Sequence, residues 1–259
     1  MAVLPPGTLL QLMYLQERLN HIVPGRFLEI GPGSGEITQL LISLGWTGIS
    51  CDLDFVTVQR LNNRFANAVG DGRYLCVTAD FLNEQQLLLP SKVDLVISCM
   101  VMEHLDYGAE SNFIRKTARL LNPTGLMIGL VPGSPEHWGV EDDIAGHHRR
   151  YTRESISTLM LKNEWQILHL VGLTFPISNF LLPISNFLVK WSELSSLNFS
   201  RLERTKKSGK RNVLFKTHFP PVFQLLLNRY VLLPWHICQK MSANNVSAMV
   251  LYFEARPLC

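Results

Sequence analysis

The feature that most constrains this chain is a short apolar run ending in a glycine turn. Arg26-Phe27-Leu28-Glu29-Ile30 leads into Gly31-Pro32-Gly33-Ser34-Gly35, and Ile37, Leu40, Leu41 and Leu44 then recur at helical spacing until Gly45. Strand, glycine turn and helix in that order open a βα unit. Glycines there let a ligand approach backbone at the carboxyl edge of a parallel sheet. The order then repeats. Gly48–Asp52, Tyr74–Thr78, Val93–Ser98 and Leu126–Val131 read as further strands. Helices at 55–68 and 109–121 lie between them, an amphipathic helix at 8–21 precedes them, and Asn122-Pro123-Thr124-Gly125 reads as a turn. A helix at 154–162, a strand at 165–171 and a last apolar run, Ala248–Phe253, continue the pattern. Buried strands alternating with helices of this length predict right-handed crossovers and a doubly wound, mostly parallel seven-stranded sheet of Rossmann-like α/β type.

The alternation breaks between 172 and 245. A tandem heptapeptide stands there, Pro176–Leu182 followed by Pro183–Val189, and the 25 positions from Trp165 to Val189 carry no charged residue. That length could span a bilayer. Its first third is needed as a strand, however, and two prolines interrupt it, so an inserted helical lid or interfacial segment fits better. From Arg201 to Arg211 there are six basic residues against one acidic, and 222–237 turns apolar again. The expected organisation is one cofactor-binding domain from 1–171 and 246–259, with 172–245 inserted as a lid or acceptor-binding segment.

Composition narrows the rest. With 259 residues, 47% hydrophobic and 17% charged, the chain can build a sizeable core. Five scattered cysteines without CxxC spacing argue against a disulfide framework or a cysteine zinc site and suit a reducing compartment. The N-terminus lacks the basic region and cleavage site of a signal peptide, so a cytoplasmic location is expected. Residues 1–160 carry a net charge of −5 and residues 161–259 a net of +8, which suggests two surfaces with different partners. The basic charge is confined to one stretch without interleaved aromatics, so nucleic acid is not the expected partner. Apolar flanks around it fit a small or lipid-linked acceptor and peripheral membrane contact through 175–237. The oligomeric state stays open.

Three carboxylates follow the strands. Asp52 ends the second, 21 residues after Gly31, where it can accept ribose hydroxyls or cap a helix. Asp80, with Phe81 beside it, follows the third, where it can meet an adenine amine or hold a turn. Asp94 begins the fourth. Glu29, two positions before the first glycine, would repel a pyrophosphate but suit a ligand amine, so an aminoacyl nucleoside fits better than a dinucleotide.

On Phe27–Gly35, Gly48–Asp52, Thr78–Phe81, Val93–Leu105 and Leu120–Ile128, the chain resembles the class I S-adenosylmethionine-dependent methyltransferases over about 8–171 and 246–256. The resemblance implies that Glu29, Gly31, Pro32, Gly33 and Gly35 hold the methionine part of S-adenosyl-L-methionine. It implies that Asp52 with Leu53 meets the ribose side, that Asp80 and Phe81 meet the adenine, and that Cys99 offers backbone. Gly146-His147-His148-Arg149-Arg150-Tyr151-Thr152 resembles a Gly-His-x-Arg-x-Tyr-Thr element of one branch, which lies near the acceptor. His147 is then either a general base or, with Arg150 and Tyr151, a residue that holds the loop. His104 either contacts ligand or packs beneath it, and Tyr151 and His104 join His147 as candidate catalytic residues. Three histidines lie between 137 and 148, but without tight ligand spacing, so no metal is expected. Two other activities fit the same fold: aminopropyl transfer, disfavoured by the absence of an Asp-x-x-Asp base after the fourth strand, and ligand binding without turnover.

Overall fold

The computed structural model describes residues 3–83, 92–193 and 219–258. The basic run from Arg201 to Lys216 lies outside them.

Seven strands form one sheet in the order β3-β2-β1-β4-β5-β7-β6. The strands are β1 (Arg26–Ile30), β2 (Thr47–Asp52), β3 (Tyr74–Thr78), β4 (Val93–Cys99), β5 (Leu121–Pro132), β6 (Trp165–Leu173) and β7 (Val250–Pro257). β1 to β5 pair in parallel, and β7 runs antiparallel between β5 and β6. The strand order reverses between β1 and β4, where two crossovers leave toward opposite edges. Ligands of such sheets bind at the carboxyl ends of the strands flanking that reversal.

Helices cover both faces: α1 (Pro6–Leu19), α2 (Glu36–Ser43), α3 (Phe55–Arg64), α4 (Ala66–Gly70), α5 (Tyr107–Leu120), α6 (Val140–Ala145) and α7 (Arg153–Lys162). Each sheet face has its own apolar cluster. One gathers Leu15, Phe27, Trp46, Leu61, Tyr74 and Tyr252; the other gathers Leu28, Val96, Phe113, Met127, Ile156 and Phe253. Adjacent strand residues such as Phe27 and Leu28 divide between the clusters, as the period-2 geometry of a strand buried on both faces requires. Three helix starts are capped by side chains reading the expected sequence signal. Asp54 accepts from the Thr57 amide at 2.7 Å, Asp106 from Ala109 at 2.8 Å, and Thr152 from Ser155 at 3.0 Å.

Two local expectations are corrected. The helix expected over 55–68 divides at Phe65, whose ring turns inward and meets Tyr74 edge-on at 5.4 Å. The turn expected at Asn122–Gly125 lies inside β5. Leu121 pairs with Val93 and Leu126 with Leu95, so the four residues between them bulge out of the ladder. Asn122 anchors the bulge by donating to Asp94 at 2.6 Å. Asp94 also accepts the Arg26 amide at 2.8 Å, which fixes it at the edge opposite the carboxyl ends.

The tandem heptapeptide folds as one helix, α8 (Ile177–Glu193), with Pro183 inside it. A seven-residue repeat returns nearly the same face every two turns, so both copies present equivalent stripes. Pro183 can donate no hydrogen bond and costs local helix stability. Asn179 donates to the Ser247 carbonyl at 2.7 Å and ties α8 to the segment before β7. The outward stripe is apolar, with Phe180 70%, Ile184 58%, Phe187 69% and Trp191 84% exposed. A further helix, α9 (Leu233–Met241), packs on α1 through buried Gln239, which donates to the Leu10 carbonyl at 3.0 Å. Among the described residues no helix is long and apolar enough to cross a membrane.

Candidate active site

The glycine turn caps β1 beside this switch in strand order. Gly31, Gly33 and Gly35 have φ of 69°, 53° and 88°, the left-handed region that side chains rarely tolerate. At Gly31 a Cβ would stand 2.6 Å from the Val101 side chain, so the loop needs glycine there to close on the turn after β4. At Gly33 no atom lies within 4 Å of where a Cβ would be. The backbone is open there to a ligand, and Pro32 fixes the bend between the two glycines. Arg60 and Arg64 from α3 donate to the Gly33 and Ser34 carbonyls at 2.8 and 2.6 Å and hold the loop from outside.

Glu29 lies beneath this loop. It is 2% exposed and accepts from the hydroxyls of Thr38, at 2.5 Å, and Ser50, at 2.8 Å. Burial pushes its pKa up to about 7, against the lowering effect of the two hydroxyls. A buried carboxyl in that state gains from a cation arriving nearby. Asp52 ends β2, where its Oδ1 accepts the Asp54 amide at 2.9 Å; Asp54, not Asp52, caps the next helix. Leu53 beside it is 39% exposed and offers an apolar surface at the loop's flank. Cys99 ends β4 half-buried, its thiol pushed up to about 12 by burial.

The expected adenine residues are placed differently. Asp80 spends its oxygens on its own turn, accepting from the Leu82 and Asn83 amides at 3.0 and 3.3 Å. Phe81 points into the core, 5% exposed and edge-on to Phe113 at 5.1 Å, instead of opening its face at the sheet edge. The apolar neighbourhood of β3 drew the ring inward.

A second group assembles on the loop after β5. Asp142, from α6, is fully buried and accepts from the Gly139 amide at 2.9 Å, Arg150 Nε at 2.9 and 3.0 Å, and His147 Nδ1 at 2.8 Å. Burial alone would raise its pKa, but the His147 and Arg150 hydrogen bonds outweigh that and hold it below the ordinary carboxylate range. The ionised Asp142 faces Nδ1 of His147, and the ring turns its Nε2 the other way. That nitrogen faces Glu103 Oε1 at 3.8 Å, and the His104 ring stands edge-on to His147 at 4.8 Å. Burial, with the neighbouring His147 as a lesser cause, lowers His104 to about 3, so it is a neutral imidazole.

Other polar residues of this loop are paired within the fold. Tyr151, the third catalytic candidate, is 2% exposed and donates its hydroxyl to Glu110 at 2.5 Å. Arg149 pairs with Glu110 at 2.9 Å and stacks 3.9 Å above the Tyr107 ring. Arg150 donates to the Gly133 carbonyl as well as to Asp142.

Both groups face one edge. Val101 packs on Gly31, and two residues later Glu103 accepts the His148 amide through its carbonyl at 2.7 Å. The turn Met102–His104 thus joins the glycine loop to the histidine loop. Glu103 carried no role in the sequence reading. Its one signal was a Glu-His pair directly after a buried strand, at the ligand edge.

A methyltransferase-domain family model matches residues 9–170, more than half of the chain. The chain belongs to this methyltransferase family. Its sheet is the Rossmann-like class I architecture of S-adenosylmethionine-dependent enzymes. The magnesium protoporphyrin IX methyltransferase of Synechocystis PCC 6803, solved with bound S-adenosylhomocysteine, has a similar fold. The TM-score is 0.53 at 18% identity, over 65% of this chain and 78% of that one. Two curated methyltransferases match parts of the sequence. One is a probable ribosomal RNA small subunit methyltransferase A of Methanospirillum hungatei, 36% identical over 39% of this chain. The other is a ubiquinone biosynthesis O-methyltransferase of Histophilus somni, 30% identical over 46% of it. The matches span 35% and 49% of those two relatives.

Proposed function

We propose that this methyltransferase moves the methyl group of S-adenosylmethionine to a hydroxyl of a small, apolar or lipid-linked acceptor. The observation that carries the reading is the Asp142–His147 pair, set one turn of chain from the glycine loop. Methyl transfer is an in-line displacement at a sulfonium carbon, so alignment and exclusion of water supply much of the rate. A base-forming pair at that edge is useful when the nucleophile must lose a proton, which a hydroxyl must and most neutral amines need not. The open backbone of Gly33, the carboxylate of Asp52 and the apolar face of Leu53 suit an aminoacyl nucleoside. Glu29 would meet the ligand's ammonium as a field from below.

Titration calorimetry with S-adenosylhomocysteine is expected to show one site per chain. Asp52→Ala should weaken it by roughly 1–3 kcal/mol, the cost of charge-assisted hydrogen bonds left unmade. Pure wild-type protein that binds neither donor nor product would refute the reading.

Of the inserted stretch 172–245, the described helix α8 stands on the acceptor side of this reading. α8 lies against α6, where a Cβ on Gly139 would stand 3.2 Å from Asn186 Oδ1, so it borders the histidine loop. Its exposed stripe of Phe180, Ile184, Phe187 and Trp191 favours docking on a lipid surface over mutual burial of apolar faces. The basic sequence from Arg201 to Lys216 adds charge suited to anionic headgroups, each residue contributing ~1 kcal/mol near the surface. Flotation with anionic liposomes should carry the protein upward at low salt. Changing Lys206, Lys207, Lys210 and Arg211 to Glu should leave it at the bottom. Wild-type protein that never floats discards the lipid surface and leaves an acceptor lid.

A further inference from the structure

Glu103 is the anomaly of the site. It is fully buried at the edge of the sheet, yet neither carboxylate oxygen has a hydrogen-bond partner among the described residues. A buried polar group without a partner is costly, and natural structures retain few of them. The two side chains beside it are imidazoles. One donor atom each from Glu103, His104 and His147 lies within 4.8 Å of the others.

We infer that Glu103, His104 and His147 form a binding site for one divalent first-row transition-metal ion, with positions left open toward the acceptor. Two imidazoles and one carboxylate are the donor set that such ions take, and three protein ligands are the number that leaves room for a reactant. The outer contacts support the same assignment. His147 gives its Nδ1 proton to Asp142, and His104 makes a backbone hydrogen bond to Gly146. The His147 imidazole is thereby oriented through Nδ1 so that Nε2, 3.8 Å from Glu103 Oε1, can serve as a ligand, the arrangement found around protein-bound metals. Asp142 is in turn held by Arg150. Donors on one ion at bond lengths of about 2.0–2.2 Å stand roughly 3–3.5 Å apart, so binding needs the most separated pair to close by up to about 1.5 Å.

This inference rests on the methyl-transfer reading and deepens it by naming the acceptor chemistry. An oxygen acceptor would take an open position on the ion, which lowers the pKa of a hydroxyl. The hydroxyl proton leaves to solvent. The carbon–oxygen bond then forms as the carbon–sulfur bond of the donor breaks, and the sulfonium is left as a neutral thioether. His147 would act as a ligand in this scheme, with Asp142 as its positioning residue.

The test uses the full chain stripped with chelator and titrated separately with Zn²⁺, Mn²⁺ and Co²⁺, with S-adenosylhomocysteine binding measured on the same sample. The expected result is one ion per chain, with a visible Co²⁺ spectrum of four- or five-coordinate type. Glu103→Gln and His104→Ala should abolish that spectrum, and Asp142→Asn should weaken the affinity by about 10–100-fold. Wild-type protein that binds S-adenosylhomocysteine but none of the three ions overturns the metal site and leaves the methyltransferase reading intact. A spectrum that survives both Glu103→Gln and His104→Ala also overturns it, because the ion then lies elsewhere. Failure to bind S-adenosylhomocysteine overturns the methyl-transfer reading instead. The wild-type titration needs no variant to fold, so the site can be refuted even if a substitution unfolds the chain.

Discussion

Replacing His147 by Ala is expected to lower turnover by about 100-fold or more, because its Nε2 is then lost either as the acceptor of the hydroxyl proton or, in the metal scheme, as a ligand of the ion. The geometry argues for a loss in turnover more than in donor affinity. His147 stands on the loop after β5, held by Asp142 at 2.8 Å, while the glycine loop and Asp52 stand on β1 and β2. Its Nε2 faces Glu103 at 3.8 Å and no residue of the glycine loop directly. Release of S-adenosylhomocysteine from a panel of apolar alcohols and phenols measures the turnover, and calorimetry with the same product measures the affinity. Equal turnover in the two proteins would remove His147 from the reaction. A large drop in product affinity would instead make it part of the donor site.

The fold was legible because strands buried on both faces read as short, nearly continuous apolar runs, and glycines punctuate them. β1, β2, β3 and β4 each lie within a residue or two of the runs that announced them. The last two strands were legible too, although pairing direction was not: antiparallel β7 shows the same apolar run that a parallel strand would. The turn residues of Asn122–Gly125 misled for a physical reason. A bulge and a turn use the same residues, and only pairing with Val93 and Leu95 separates them. In the site, the glycine loop was readable because its chemistry is local to five consecutive positions. The histidine loop was not fully readable because its chemistry is assembled from two loops. Glu103 and His147 are 44 positions apart, and no spacing rule links a residue after β4 to one after β5. Phe81 shows a different ambiguity. An aromatic beside an acidic residue at a strand end can face ligand or core, and only the packing against Phe113 decides it.

Asp142 carries the largest expected effect on stability. Its carboxylate is fully buried and meets three donors: the Gly139 amide, His147, and the Arg150 Nε, which reaches both of its oxygens. The side chain of Arg150 is only 6% exposed, so removing its partner strands a cation where water reaches it poorly. Breaking a buried pair from one side typically costs about 3–5 kcal/mol, because the remaining charge keeps its desolvation penalty without compensation. Asp142→Ala is therefore expected to lower the unfolding free energy by roughly that amount, and the melting temperature by roughly 10 °C for a domain of this size. The decisive measurement is a cycle. Arg150→Met in the Asp142→Ala background removes the stranded cation and should recover a good part of the loss. If the cost came instead from the cap on Gly139, the second substitution would recover nothing. Chemical denaturation of the four proteins distinguishes these outcomes, and a loss below ~1 kcal/mol for Asp142→Ala would place the pair among ordinary surface contacts. The pH dependence has a definite sign. Because Asp142 is held below the ordinary carboxylate range, its stabilisation is complete above the unfolded value and is lost as pH falls through the folded one. The gap between wild type and Asp142→Ala should accordingly narrow on acidification, and it should stay open between neutral pH and the ordinary carboxylate range.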